Sequence, residues 1–268
     1  FYAPNIQDVV TGTQSNFETS GGFGPNQVST ILGLGIFIFF VQLMLNSSNG
    51  LLQIINGGLV LVFAFRGLIT FSRGGIYTGV AMILLLLAIL YFQANFQTKP
   101  KIAGIIVLSF LATLAVWSYS SIKTNGLLDK RYANQDAAGR EKKSQLSGRE
   151  ILIESELKMF YENPILGVGV GKNKELRKSQ TGIDLATHNE ITRMLAEHGT
   201  LGIVGLLILV ITPLYLFLVD RQNILALSFF VFWLLTINHA AMRLSAPAFI
   251  YALSLLKVYR EAPAVHRK

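Results

Sequence analysis

Long apolar runs without a charged residue dominate the chain, and short polar segments separate them. The hydrocarbon core of a bilayer is about 30 Å thick, and roughly 20 apolar residues in helical conformation cross it. Because backbone groups in lipid must be hydrogen-bonded within the segment, runs of this length predict helices. The pattern predicts seven membrane spans, at about residues 28–45, 51–66, 74–93, 102–119, 200–219, 223–239 and 244–258.

One long polar segment, residues 120–199, interrupts this series. It contains nearly equal numbers of basic and acidic residues, so we expect it to be exposed to water. The sequence therefore predicts an all-α fold, a polytopic transmembrane helical bundle with one long, partly helical extracytoplasmic loop. Its three parts are an N-terminal part with about four spans (1–119), the loop (120–199), and a C-terminal part with about three spans and a basic tail (200–268).

The composition agrees with a membrane protein, since hydrophobic residues make up 51% of the 268 residues and charged residues only 14%. A net charge of +8 would suggest a nucleic-acid partner for a soluble protein. Here we expect none, because Lys and Arg also collect on the cytoplasmic flanks of membrane helices. The absence of cysteine excludes disulfides and thiolate metal sites. The chain begins at Phe1 without a signal-peptide pattern, so we expect the C-terminal part of a longer protein.

The short connections between the spans indicate the orientation. With the loop outside, the cytoplasmic flanks carry more basic residues than the outer connections, as the positive-inside rule favours. We therefore expect the loop to be extracytoplasmic. The residues counted as cytoplasmic are Lys99, Lys101, Arg221, Lys257, Arg260, Arg267 and Lys268, and those counted as outside are Arg66, Arg73 and Arg243.

Two arginines lie at the outer ends of neighbouring predicted spans. Arg66 and Arg73 are two helical turns apart, so they would share a face if the stretch between them were helical. An arginine this close to hydrocarbon needs a partner or a wet cavity, and no acidic residue lies near either one in the sequence. They are either interfacial arginines or ligands for an anion, and a guanidinium binds phosphate through two parallel hydrogen bonds.

The loop contains a predicted amphipathic helix. Ser147 and Glu150 have the spacing of a capping box, so the helix would begin there and place Arg149 in its first turn. A cation in the first turn opposes the helix dipole, which a solvated arginine tolerates. The helix would end at Asn163-Pro164, and its expected apolar face consists of Ile153, Leu157 and Phe160.

Alternating glycines follow this helix, at Gly167, Gly169 and Gly171. Such spacing can belong to a nucleotide-binding loop, but that assignment needs a strand before the glycines and a helix after them. No such context is present. We therefore predict a tight structural turn with exposed backbone N–H groups.

A second capping-box pattern, from Thr187 to Glu190, predicts a helix with Thr187 as its N-cap. His188 would then lie in the first turn, where the helix dipole disfavours imidazolium and leaves a neutral ring able to accept a proton. An exposed histidine at such a position is otherwise simply solvated. Gly199 would let the chain turn from this helix into the next span. The histidines lack ligand-like spacing with acidic residues, so no metal site is predicted.

Three further features have weaker functional claims. His198 lies just before a membrane span, where interfacial packing is the usual role. His239 and Arg243 are one turn apart at an outer helix end, so Arg243 would add to an anion site. The run from Lys123 to Lys143 mixes charges of both signs and is interpreted as a solvated surface.

Four stretches together resemble the O-antigen ligase and polymerase superfamily of bacterial envelope membrane proteins. They occur in the family's order around one long loop and cover about residues 20–215; the further helices of that family would lie before Phe1. The stretches are Phe23-Gly24-Pro25-Asn26, Ser72-Arg73-Gly74-Gly75, Arg149 with the helix that ends in Asn163-Pro164-Ile165-Leu166-Gly167-Val168-Gly169, and His188-Asn189 ahead of Leu195-Ala196-Glu197-His198-Gly199-Thr200-Leu201-Gly202.

The resemblance implies a glycosyltransferase of the bacterial inner membrane. It would move a glycan from an undecaprenyl-pyrophosphate carrier to an acceptor hydroxyl, with no nucleotide sugar, cofactor or metal. The resemblance places Arg73 and Arg149 on the pyrophosphate and makes His188 the essential loop histidine. Arg66 and Arg243 are substrate-binding candidates from their placement alone. The tryptophan expected shortly after Arg149 is missing, so the resemblance does not define the acceptor pocket.

Several functions remain open at this point. The acceptor distinguishes an O-antigen or exopolysaccharide polymerase, a ligase that uses a lipid core, and a protein glycosyltransferase, and no residue reports it. The alternative is a transporter or channel for an anionic lipid-linked saccharide, in which the outer arginines would recruit the substrate. Ion-coupled transporters, however, usually carry acidic residues inside their spans, and the predicted spans contain none. A structural scaffold would leave the arginines unexplained.

Overall fold

The structure is a computed structural model that describes residues 5–142, 150–185, 187–220, 222–239 and 244–258. The regular elements in these ranges are helices, with one isolated bridge between Gln135 and Glu141. The predicted all-α membrane bundle is confirmed. The helices are α1 (Ile6–Val9), α2 (Pro25–Val41, extended by a π-helical turn at Gln42–Asn46), α3 (Gly50–Ile69), α4 (Arg73–Gln93), α5 (Lys99–Lys123), α6 (Leu127–Tyr132), α7 (Glu150–Glu162), α8 (Lys172–Thr181), α9 (Glu190–Val219), α10 (Ala226–Thr236) and α11 (Ser245–Ser254).

Five of these helices are long and apolar enough to cross a membrane, namely α2 with its extension, α3, α4, α5 and α9. The other two predicted spans correspond to α10 and α11, which are apolar but have 11 and 10 residues. They are shorter than the predicted 223–239 and 244–258. At the end of α10, the His239 N–H turns back to the Thr236 carbonyl at 3.3 Å, and the Ile237 carbonyl accepts the N–H of Glu190 at 2.9 Å.

Glycines allow α2 and α4 to pack in close contact. A Cβ atom on Gly75 would lie 2.2 Å from the backbone of Ser29, and one on Gly33 would lie 2.1 Å from the Gly75 carbonyl oxygen. Membrane helices commonly approach each other through such small residues. The contact also fixes the start of α4, where Ser72 Oγ donates to Asn26 Oδ1 at 2.7 Å. The first two stretches that carry the family resemblance therefore meet at one end of the bundle.

The polar parts of the chain gather at this same end. Arg131, which follows α5, donates to the backbone turn between α3 and α4. The start of α9 meets the end of α10, where the Glu190 N–H donates to the Ile237 carbonyl at 2.9 Å. Just beyond α10, the ring of His239 lies 3.3 Å from the position of a Cβ atom on Gly74, near the start of α4. The loop and the start of α4 thus lie on one side of the bundle.

Gly199 divides α9 into a loop helix and a membrane helix. Its backbone has φ 59° and ψ −138°, a conformation that is essentially restricted to glycine. A Cβ atom there would also lie 2.6 Å from the carbonyl oxygens of Pro164 and Ile165. The predicted passage from loop helix to membrane span at Gly199 is confirmed.

The glycine-rich turn after α7 is packed around this break. The N–H groups of Val168 and Gly169 donate to the carbonyls of Ala196 and Glu197, at 2.8 and 3.1 Å. The Gly171 N–H donates to the Glu197 carboxylate at 3.0 Å. The predicted tight structural turn is confirmed. The prediction that its N–H groups are exposed is wrong, because these three bind α9 rather than solvent or a ligand.

Helix α7 ends directly before Asn163, as predicted. The predicted apolar face of α7 is only half-buried. The face that is buried instead consists of Leu152, Ser155, Glu156 and Met159. The helix is rotated by about one residue because Glu156 points inward to a buried partner. The predicted N-cap Ser147 and the first-turn residue Arg149 lie outside the described residues.

Candidate functional site

Arg73 is the first residue of α4 and follows a sharp turn in which Phe71 has a φ of +58°. The turn separates Arg73 from α3, which ends at Ile69. The stretch between Arg66 and Arg73 is therefore not one helix, so the condition under which they would share a face is not met. The chain must reverse direction between two antiparallel membrane helices, so the helix cannot continue through the turn. Arg66 remains exposed in the last turn of α3.

Two cations that the sequence analysis did not single out lie beside Arg73. The Arg73 Nη1 atom donates to the Arg131 carbonyl at 3.4 Å, and Arg131 Nε donates to the Phe71 carbonyl at 2.8 Å. Lys142 Nζ donates to Thr13 Oγ1 at 2.8 Å. We call Arg73, Arg131 and Lys142 the cationic cluster. The run from Lys123 to Lys143 is thus more than a solvated surface, and that interpretation is wrong for this part of it.

The electrostatics of Lys142 show that the three charges act on one another. Burial lowers the pKa of its ammonium group, and the charges of Arg131 and Arg73 lower it further, against a weaker opposite effect of Asp136. Neither Arg73 nor Lys142 forms an ion pair with a carboxylate of the described residues. Like charges held together in this way are stabilised when an anion binds between them.

An aromatic group lies against the cluster. The ring of Tyr132 packs edge-on against Trp117 at 4.7 Å and against Tyr77 at 5.7 Å. Burial raises the pKa of the Tyr132 hydroxyl, while the charges of Arg73 and Arg131 oppose this effect. The hydroxyl therefore stays protonated and is available as a hydrogen-bond donor beside the cations. Within the described part of the chain, it has no hydrogen-bond partner.

His188 precedes helix α9 rather than lying in its first turn. The N-cap is Asn189, whose Oδ1 accepts from the N–H groups of Ile191 and Thr192 at 2.9 and 3.3 Å. The predictions that Thr187 is the N-cap and that His188 lies inside the helix are therefore wrong by two residues. The side chain of His188 is partly buried, and its Nδ1 atom is shielded from solvent.

A chain of contacts connects the His188 segment to Arg73. Glu190, two residues after His188, is hydrogen-bonded to Ile237, and His239 packs against Gly74, next to Arg73. His239 is 9% exposed, so its ring is part of the packed connection. The structure brings the start of α4, the end of α10 and the His188 segment together at the polar end of the bundle.

A buried ion pair holds the helices of the loop together. Arg177 on α8 and Glu156 on α7 are both fully buried and lie 2.8 Å apart. Thr192 on α9 donates to the other oxygen of Glu156 at 2.5 Å, and Arg177 Nη1 donates to the Leu185 carbonyl at 2.7 Å. Burial raises the pKa of the Glu156 carboxyl, although hydrogen bonds from Thr187 and Thr192 and the charge of Arg177 oppose it. The pair therefore positions the segment that carries His188.

Replacing Arg177 with methionine should destabilise the loop by about 3–5 kcal/mol, because Glu156 would remain buried without its partner. Thermal unfolding of the protein in lipid nanodiscs should show a lower midpoint. The double variant Glu156→Met with Arg177→Met should recover part of the loss, since it buries no charge.

The matched control is Arg140→Met, which removes the ion pair between Arg140 and Asp136. The Arg140 side chain is 81% exposed, and exposed pairs contribute little to stability. Its unfolding midpoint should stay at the wild-type value. Equal shifts in the Arg140 and Arg177 variants would contradict a special role for the buried pair.

A cavity of about 530 Å³ lies between the loop and the membrane helices α9, α10 and α11. We call it the amphipathic cleft. Its polar end is formed by Lys174, Thr187, Glu190, Arg193 and Glu197, and its apolar wall by Leu206, Leu209, Trp233, Ile237, Pro247 and Ala248. Arg73 does not line it, whereas Thr187, the neighbour of His188, does.

Two predicted site residues, Arg149 and Arg243, lie outside the described residues, so their placement stays a prediction. Among the residues that the structure describes, no group of three or more His, Cys, Asp or Glu side chains could hold a metal ion.

The residues missed at the sequence level gave little signal. Arg131 contacts Phe71, which lies 60 positions earlier in the chain, and Arg177 lies 21 positions after Glu156. In a sequence, a buried charge of this kind is indistinguishable from a solvated one. The only hint was negative: Arg73 lacks a nearby acidic residue, so other groups must account for its position.

Comparison with known protein families identifies one match. The model of a family described as O-Antigen ligase matches residues 57–210, more than half of the chain. The match includes Arg73, Arg149 and His188. No curated protein and no solved structure matches the chain.

Proposed function

The chain belongs to the O-antigen ligase family of membrane glycosyltransferases, and from this premise we propose its reaction. It transfers a glycan from an undecaprenyl-pyrophosphate carrier to an acceptor hydroxyl, as an O-antigen or exopolysaccharide ligase or polymerase. The reaction takes place at the extracytoplasmic face of the bacterial plasma membrane and needs no metal ion. The orientation rests on the excess of basic residues at the opposite ends of the spans.

The cationic cluster is the observation that supports this proposal. It places three cations at the polar end of a membrane bundle, where the headgroup of a lipid-linked donor lies. The guanidinium of Arg73 offers a planar fork that matches phosphate oxygens, and the Tyr132 hydroxyl adds a neutral donor. Cations fixed before the substrate arrives stabilise charge without reorganisation. They supply the role for which soluble sugar-phosphate enzymes often use a divalent cation.

The chemistry follows from the two ends of the site. The acceptor oxygen forms a bond to C1 of the donor sugar while the bond from C1 to the diphosphate oxygen breaks. The electron pair of that bond leaves with the diphosphate, whose added charge the cationic cluster stabilises. The proton of the attacking hydroxyl passes to His188, through Nε2 because Nδ1 is shielded. Direct attack from the face opposite the diphosphate inverts the anomeric centre.

His188 remains a suitable base in its observed position. It lies at the N-terminal end of α9, where the positive end of the helix dipole disfavours a protonated imidazole. This effect favours the neutral imidazole that proton transfer requires. Arg149 joins the pyrophosphate site by family resemblance alone.

The proposal is tested with purified protein in nanodiscs, a labelled undecaprenyl-pyrophosphate-linked glycan, an acceptor and excess EDTA. The label should move to the acceptor, and one undecaprenyl pyrophosphate should be released for each glycan transferred. Loss of transfer in EDTA, restored by a divalent cation, would contradict the role given to the cations. Movement of labelled donor across proteoliposomes without covalent product would instead identify a transporter.

A further inference from the structure

We propose that the amphipathic cleft binds the acceptor, as an uncharged saccharide attached to an apolar anchor, while the cationic cluster binds the diphosphate of the donor. This inference rests on the proposed function and divides its two substrates between two separate places. It assigns a substrate class to a cavity that the family resemblance leaves open.

The polar end of the cleft suits sugar hydroxyls better than phosphate. Glu190, Arg193 and Glu197 lie on one face of α9, and Arg193 forms ion pairs with both carboxylates, the one to Glu197 at 3.6 Å. Lys174 is the second cation of the cleft, and it is already paired with Asp184 at 2.9 Å. A diphosphate would meet two carboxylates here and no excess of positive charge. Carboxylate oxygens, by contrast, accept hydrogen bonds from neutral hydroxyl groups.

The opposite wall suits an apolar chain. It is built from membrane helices, through Leu206 and Leu209 of α9, Trp233 of α10 and Pro247 of α11. Trp233 is fixed by contact with the ring of Tyr251 at 4.8 Å, and the Tyr251 hydroxyl donates to the Leu209 carbonyl at 2.9 Å. The wall is thus preformed at Trp233, which is held in place by Tyr251. A molecule that spans both ends of the cleft must itself be polar at one end and apolar at the other.

The cleft also has the right relation to the reacting groups. Thr187 lines it, and the next residue is His188. Ile237 lines it too, while His239, two residues further on, packs against Gly74 at the start of α4. The end of α10 therefore separates the cleft from the cationic cluster. A hydroxyl at the polar end of the cleft would therefore lie beside the segment that carries His188.

The two tryptophans of the chain allow each site to be observed separately. Trp233 lines the cleft, and Trp117 packs on Tyr132 beside the cationic cluster. In nanodiscs, a Trp117→Phe variant reports on the cleft and a Trp233→Phe variant on the cluster. The first is titrated with octyl maltoside below its micellar concentration and with octyl phosphocholine, which has the same chain without the sugar. The second is titrated with inorganic pyrophosphate.

Octyl maltoside should produce a saturable change in Trp233 fluorescence, and octyl phosphocholine should not. An equal response to both amphiphiles, or none to the maltoside, would overturn the assignment. The variant Ala248→Phe fills the cleft and should abolish the maltoside response. Ala252→Phe, on the same helix but outside the cleft, should retain it. Loss of the response in both variants would count against a binding site in the cleft.

Kinetics give an independent measure. Ala248→Phe should raise the KM for the acceptor by about tenfold or more and leave the KM for the donor within about twofold, since uniform loss of binding appears in KM. An equal rise in both constants would contradict separate sites. If glycan transfer is observed but Trp233 does not respond to the saccharide, the cleft assignment fails and the proposed function stands. If Trp233 responds but no transfer occurs with any donor, the proposed function fails instead.

Discussion

Replacing His188 with alanine should lower kcat for glycan transfer by about 10²- to 10⁴-fold, the usual contribution of a general base. The attacking hydroxyl would lose its proton acceptor, while the cationic cluster would still bind the diphosphate. The KM for the donor should therefore change little. The pH dependence distinguishes a base from a structural residue: the wild-type rate should rise with pH as the imidazole becomes neutral, and this rise should be absent in the variant.

His198→Ala is the matched control, because His198 lies on the loop helix that follows His188 and is also partly buried. The mechanism gives it no role, so its transfer rate should remain near that of the wild type. Equal losses in the two variants would point to disturbance of the loop rather than loss of a base. Full activity of His188→Ala would remove the assignment altogether.

The membrane part of the fold was predictable because its signal is local. The length of an apolar run can be read from the sequence without knowing what packs around it. Each of the seven predicted spans accordingly corresponds to an apolar helix. The errors in the helix bounds lie at places where residues distant in the sequence are in contact. Where α10 ends early, the Ile237 carbonyl bonds to Glu190, a contact between residues that are far apart in the sequence.

Local polar patterns were less reliable than apolar ones. The segment from Thr187 to Asn189 contains two residues that can cap a helix, and the structure uses Asn189. For α7, the apolar residues predicted one face, and the pairing of Glu156 with Arg177 rotated the buried side away from it. The prediction at Gly199 was correct because the break in α9 needs a backbone conformation that glycine adopts without help from distant contacts.

The candidate site shows the same division. Arg73 and His188 were singled out from the sequence because each stands beside a recognisable helix boundary and a family motif, and their roles stay predictions. Arg131 and Lys142 were not, because they approach Arg73 only through contacts with the turn at Phe71 and with Thr13. The three residues of the cationic cluster are close in the structure but do not lie in one stretch of the sequence. The assignment of domains at 119/120 and 199/200 stays a prediction.

Replacing Arg73 with lysine should lower kcat by about 10²- to 10³-fold, the effect of losing one preorganised donor to a developing anion. Lysine keeps the charge but has no planar fork, so it cannot form two parallel hydrogen bonds to a diphosphate. The Arg73 side chain is also oriented by its bond to the Arg131 carbonyl, which the shorter reach of an ammonium group would not reproduce.

The effect should appear in two measurements, in kcat for transfer and in competitive inhibition by inorganic pyrophosphate, which should weaken in parallel. Arg140→Lys is the control, since it makes the same exchange on an exposed residue of the same loop and should change neither quantity. Unchanged kcat and unchanged inhibition in Arg73→Lys would show that only the charge matters. A loss of kcat with undiminished inhibition would contradict the binding role proposed for Arg73, because its guanidinium would then act on the transition state without holding the free diphosphate.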